Sequence, residues 1–296
     1  MTYFIMQLLN GLQIGSIYAL IALGYTMVYG IIKLINFAHG EIMMTAAYSI
    51  FFFITLLDMP FIPAVLLAML LSMALGMLIE RVAYRRLRSA SRLSALITAI
   101  AVSLFLQTSY AILISPDPRA FPITAASFPV FKLGEISLSS WTLITIGIAV
   151  IVMIALQLFL TRHKAGIAML VVSEDLKGAY LMGIKVNNIV SMTFAIGSAL
   201  AAIAAALFIV SYPQITPYMG AMPGIKAFIA AVLGGIGFIP GAMLGGFLLG
   251  LIETMTKAYI PSSVSQLSEA VVFLVLILVL LLKPAGLLGK SEREKV

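Results

Sequence analysis

The chain has 296 residues, 62% of them hydrophobic and 10% charged, with a net charge of +7 and no cysteine. A soluble domain is about 45–50% apolar and about 25% charged, so a water-soluble globule is excluded, and disulfides and thiolate metal sites go with the missing cysteine. The positive charge does not mark a nucleic-acid groove, because the basic residues sit in short segments between apolar runs, where they act as orientation signals for a membrane protein.

Met1–Gln13 lacks the basic start of a signal peptide and leads directly into the first uncharged run, Ile5–Val28. Further uncharged runs follow at Ile42–Leu57, Phe61–Ile79, Leu93–Ile114, Trp141–Leu160 and Ile189–Val210. All but Ile42–Leu57 are long enough to cross a bilayer as a helix, which takes about 20 apolar residues. Strands of a closed barrel would alternate apolar and polar residues instead. The fold class is therefore an all-α, polytopic transmembrane helix bundle, a single transmembrane domain over residues 1–296.

The loops give the orientation. Arg81, Arg85, Arg86, Arg88 and Arg92 lie between the third and fourth runs. Arg162, His163, Lys164, Lys177 and Lys185 lie between the fifth and sixth, and Lys283, Lys290, Arg293 and Lys295 lie in the tail, residues 283–296. The positive-inside rule assigns all three to the cytoplasm. Ser115–Ser140 and Ser211–Gly224 then fall outside, as does the amino terminus.

Between the first two runs, Asn36, Phe37, His39, Gly40 and Glu41 put an amide, an imidazole and a carboxylate beside apolar segments. Polar groups at membrane depth face a cavity or a partner, so one reading is a broken helix at the pathway or gate. The other is a short cytoplasmic loop in which Asn36 caps a helix beginning near His39.

The cytoplasmic loop, residues 161–188, contains Ser173-Glu174-Asp175 followed by a helical stretch, Leu176–Met182, and Gly183-Ile184. Ser173 is a candidate cap, and Glu174 and Asp175 suit the positive helix start. Such a helix needs a protein partner or lipid headgroups to cover Leu176, Ala179 and Tyr180.

The run Ala227–Ile252 is interrupted by Gly234, Gly235, Gly237, Pro240, Gly241, Gly245, Gly246 and Gly250. One crossing here would strand the basic tail outside after the last run, Leu267–Leu282. Two shorter segments turning near Phe238–Gly241 return it to the cytoplasm, for about eight or nine membrane segments, some broken or re-entrant. Gly241/Gly245 and Gly246/Gly250 are small-residue pairs suited to close helix packing, and breaks in such helices line sites in transporters. Lys226 and Glu253 bracket the run and are expected to snorkel to the interface.

Enzymatic motifs are scarce. Gly289-Lys290-Ser291 resembles the end of a phosphate loop, but Pro284 stands where its first glycine belongs. His39 and His163 have no ligand spacing, and no nucleophile–base pair is legible. No cofactor or metal is expected, and the chain is not read as an enzyme. An ion-coupled secondary transporter would predict acids buried mid-helix, and the long runs carry none.

Asn36-Phe37-Ala38-His39-Gly40-Glu41, the segment Val232–Gly237 continuing through Gly241, Gly245 and Gly246 to Glu253, and Pro284–Gly289 together resemble the branched-chain amino acid ABC transporter permease family, LivH type, from end to end. The resemblance implies an inner-membrane permease working with cytoplasmic ATPase subunits, a second related permease and an extracytoplasmic substrate-binding protein. It makes Glu174, Asp175, Ala179, Met182, Gly183 and Ile184 the ATPase-docking segment. The family's Arg-Ala pair before the Asp is replaced here by Leu170-Val171. Relatives importing urea, short amides or other amino acids remain alternatives on the same motifs.

Overall fold

The computed structural model describes residues 2–88, 90–133, 136–261 and 267–289. Lys290, Arg293 and Lys295 of the basic tail, with the end of the phosphate-loop-like segment, lie outside these residues.

Among the described residues seven helices are long and apolar enough to cross a membrane: α1 (Thr2–Ile32), α2 (His39–Leu57), α3 (Phe61–Ile79, continuing to Leu87), α4 (Arg92–Leu113), α5 (Ser140–Arg162), α8 (Val186–Ser211) and α10 (Ile239–Tyr259). Two shorter apolar helices, α9 (Ala221–Gly234) and α11 (Leu267–Leu282), complete the bundle. The loop after α5 forms two helices rather than the single one expected, α6 (Lys164–Glu174) and α7 (Leu176–Leu181). On the opposite face a two-residue ribbon joins β1 (Arg119–Ala120) to β4 (Gln214–Ile215), and β2 (Val130–Leu133) pairs with β3 (Ile136–Ser139) as a hairpin.

The glycine-rich run folds back as parity requires, but its break lies at Gly235–Phe238, just ahead of the expected turn. Gly235 and Gly237 have φ of +113° and +90°, a region open to glycine at little cost. Pro240 sits in the first turn of α10, where no intrahelical N–H is required. α9 also begins earlier than the charge pattern suggested and takes Lys226 inside the helix.

The faces can be ordered by contact. A Cβ on Gly30, near the end of α1, would touch Gly237, so the α9–α10 turn lies at the carboxyl end of α1. The tail reaches the same place: Leu287 and Leu288 donate backbone N–H bonds to the carbonyls of Leu233 and Gly234, satisfying the end of α9. At the other end Tyr3 stacks edge-on against Tyr259 at 5.9 Å. The start of α1 and the residue 284–289 tail therefore lie at opposite ends of the bundle, the latter on the basic face with Arg85, Arg88 and α7.

α1 is the central post, almost entirely buried from Gly15 to Val28. Its small residues let α10 lie directly on it. α8 forms a second buried helix, whereas α4 leaves Leu104, Phe105, Ile112 and Leu113 exposed, which suits lipid or another membrane subunit.

Candidate functional site

The segment after α1 does not stay at the surface. From Lys33, in the left-handed region at φ 52°, the chain turns back into the bundle and starts α2 at His39, beside Gly24. A Cβ on Gly24 would overlap the imidazole. Gly24 lies eight residues before the end of α1, so α2 begins about 12 Å inside the basic end, at 1.5 Å per residue. Asn36 and His39 are buried. Asn36 does not cap α2; the cap position is Ala38, with no side-chain bond. The Asn36 Oδ1 instead accepts from Tyr84 at 2.9 Å, tying the re-entrant segment to the end of α3.

α9 mirrors this. Residues 212–220 dip in from the opposite face, and α9 starts at depth. The backbones of Gly40 and Gly220 come so close that a Cβ on either would strike the other's carbonyl. Two helices thus meet N-terminus to N-terminus inside the bundle, α2 running towards one face and α9 towards the other. Around the junction Phe37 packs on Phe228 at 5.7 Å, and Tyr25 packs edge-on against His39 at 4.8 Å. Helix starts carry partial positive charge, so paired breaks of this kind suit a site for a small polar solute in a transporter.

Gly234, Gly235 and Gly237, expected at the same pathway, lie elsewhere, at the α9–α10 turn on the basic face. Gly235 abuts the tail: a Cβ there would meet Gly289 N at 2.6 Å. Gly235→Ala is expected to cost about 1–2 kcal/mol for the left-handed backbone alone. It should also loosen the tail, seen as faster proteolysis after Lys283 with a lower melting temperature. Unchanged proteolysis would show that the tail does not dock there. Gly241 and Gly245 press on α9 at Gly234 and Ala230, whereas Gly246 and Gly250 press on α1 at Ala19 and Gly15.

Acids are in fact buried in the helices, which corrects the sequence expectation. Glu253 accepts from Lys226 at 2.8 Å, from Lys257 and from Tyr18 at 2.8 Å. At 5% and 2% exposure, Lys226 and Glu253 do not snorkel, because α1, α10 and α11 surround them. Glu80 is buried in a second knot with Arg85, Arg88 and Ser191, so part of the basic cluster serves packing. Glu41 accepts from Gln107 at 2.7 Å and Ser103 at 3.1 Å. These two partners were readable as a polar pair at i and i+4 in an otherwise apolar run.

On the basic face Asp175, not Ser173, caps α7, accepting from Lys177 N at 2.9 Å; the Ser173 hydroxyl bonds back to Leu170 O. Gly183, at φ +78°, ends the helix, with Ile184 N bonded to Ala179 O. Ala179 is buried against the protein itself. Tyr180, Leu181 and Met182 are 74%, 86% and 67% exposed beside an open cavity of about 750 Å³ lined by Arg88, Lys177 and Lys185 among others. Large apolar side chains on a charged face mark an interaction surface. Glu174 sits at the α6–α7 kink.

Residues 7–280 match the protein-family model described as branched-chain amino acid transport system, permease component. The chain is 47% identical to the high-affinity branched-chain amino acid transport system permease protein BraD of Pseudomonas aeruginosa, covering 99% of this chain and 98% of that protein. It is 44% identical to the corresponding permease proteins LivH of Salmonella typhimurium and Escherichia coli, again over 99% of this chain and 98% of each relative. No solved structure matches the chain.

Proposed function

The chain belongs to the permease family of branched-chain amino acid transport systems, and on that premise we propose that it forms part of the path by which an ABC importer moves branched-chain amino acids across the inner membrane. The observation that carries this reading is the N-terminus-to-N-terminus junction of α2 and α9 within the bundle. Asn36, Phe37, His39 and Glu41 belong to this junction. Gly234, Gly235 and Gly237 form the turn that seats the tail at the cytoplasmic mouth.

The basic face is cytoplasmic and receives the ATPase subunits on α7, where Asp175 and Gly183 fix the helix ends and Tyr180, Leu181 and Met182 supply the apolar contact. A soluble binding protein delivers substrate to the face carrying the β-ribbon and hairpin. A second, related permease packs against the exposed apolar helices, and lipid covers the rest. ATP is hydrolysed by the partners, since the chain has no phosphate loop of its own.

The test is ATP-driven uptake into proteoliposomes holding the complete importer. Leucine, isoleucine and valine are expected to accumulate and urea is not; uptake of urea alone would move the chain to another substrate class. Within that assay Asp175→Asn, which retains an N-cap, should assemble with the ATPases. Asp175→Lys loses the cap, worth about 0.5–2 kcal/mol, and reverses the charge, so assembly and uptake should fail together. Normal uptake with the lysine variant would remove α7 from the docking surface.

A further inference from the structure

Three carboxylates are buried among the described residues, and they are not alike. Glu80 has Arg85 and Arg88, and Glu253 has Lys226 and Lys257. Glu41 is 1% exposed, has no basic side chain at ion-pair distance among the described residues, and receives only the neutral donors of Gln107 and Ser103. Both bonds fall on Oε1, and Oε2 is buried without a partner. A carboxylate in a dry setting without a cation is costly, so such a group either holds a proton or meets a counter-charge supplied from elsewhere.

The surroundings say what that cation would be. Glu41, Thr45 and Tyr48 recur at i, i+4 and i+7 on α2, opposite Ser103, Gln107 and Tyr110 at the same spacing on α4. The two helices run side by side: Glu41 meets Gln107, and Tyr48 meets Tyr110 at 5.0 Å between rings. Tyr48 Oη is a second buried polar atom without a partner. The result is a polar seam running outward from the α2–α9 junction, closed on one side by α4, a helix whose other faces are exposed. Metal chemistry does not suit it, since no group of three metal-ligating side chains occurs among the described residues. A primary ammonium does suit it: its N–H donors match the open lone pairs of Oε2, and neutral hydroxyls and an amide surround it without competing charge.

We infer that the α2–α4 seam is a binding station for the ammonium group of the travelling amino acid, with Glu41 as its counter-charge. This rests on the transport reading above and adds to it the group that recognises one end of the zwitterion.

The test uses the complete importer in proteoliposomes. Glu41→Gln keeps the shape and the hydrogen bonds to α4 but removes the charge. Leucine uptake should fall about tenfold or more, the loss of one charge-assisted hydrogen bond, and Glu41→Asp should recover most of it. Uptake by Glu41→Gln equal to wild type would overturn the inference, making Glu41 a neutral tie between α2 and α4. If Glu41→Gln does not assemble, the wild-type importer serves instead, treated with a membrane-soluble carbodiimide and mapped by mass spectrometry. Leucine should protect Glu41 from modification, and 4-methylpentanoate, the same skeleton without the ammonium, should not. Equal labelling with and without leucine would overturn the station. Absence of ATP-driven leucine uptake by the wild-type importer would instead defeat the transport reading itself.

Discussion

Glu253→Ala is expected to lower stability by about 3–5 kcal/mol, the cost of breaking a buried ion pair by removing one partner. The carboxylate is the hub of a knot joining four helices. Lys226 of α9 and Lys257 of α10 donate to Oε1, and Tyr18 of α1 donates to Oε2. Without it, Lys226 retains, among the described residues, only Glu269 of α11 at 3.5 Å, whose side chain is 48% exposed. A lysine 5% exposed cannot recover its hydration without disturbing α9, the helix that forms half of the central junction. The expected result is a large drop in the melting temperature of the detergent-purified protein. A double replacement, Lys226→Met with Glu253→Leu, should regain most of that loss, since apolar residues of similar volume often match or exceed a buried pair. Melting of Glu253→Ala at the wild-type temperature would show that the knot holds nothing. The corresponding change at Glu80 should cost less, because the Arg85 and Arg88 side chains keep 37% and 18% exposure and water can take over part of the carboxylate's role.

The contrast between Lys226 and Lys257 explains what could and could not be read in the sequence. Uncharged runs located the long helices, and parity of the basic loops called for the fold-back that occurs at Gly235–Phe238. These follow from the bilayer, which acts on each segment separately. A charged residue at the edge of an apolar run is different, because snorkelling and burial have the same local sequence. Lys226 is buried because α10 and α11 close over it, whereas Lys257, four residues beyond Glu253 on the same helix, reaches solvent with half its side chain. The depth of the Lys33–Ala38 segment was hidden for a related reason. It depends on Gly24 leaving room for the His39 ring, a contact between residues on different elements. Ser173 was the cap candidate in the sequence, and only the kink between α6 and α7 gives that role to Asp175.

The close approach of α10 to α1 leads to the other large effect. Gly246 and Gly250 sit one turn apart, and a Cβ on either would fall on the backbone of Ala19 or Gly15. In a membrane, helices gain little from excluding lipid and depend on close packing of this kind. Backbone atoms cannot rotate away as a flexible side chain can, so the helices must separate. Gly250→Leu is therefore expected to cost about 3 kcal/mol, at the upper end for overpacking, and to reduce accumulation of folded protein in the membrane. Gly147 of α5, whose Cβ would meet nothing within 4 Å, supplies the control: Gly147→Leu should stay within about 0.5 kcal/mol of wild type. The comparison separates contact from composition, since both changes add the same side chain to an apolar helix. Equal melting temperatures for the two variants would mean that α1 and α10 do not touch as described. The α1 face that positions Gly24 and Tyr25 at the central junction would then need another support.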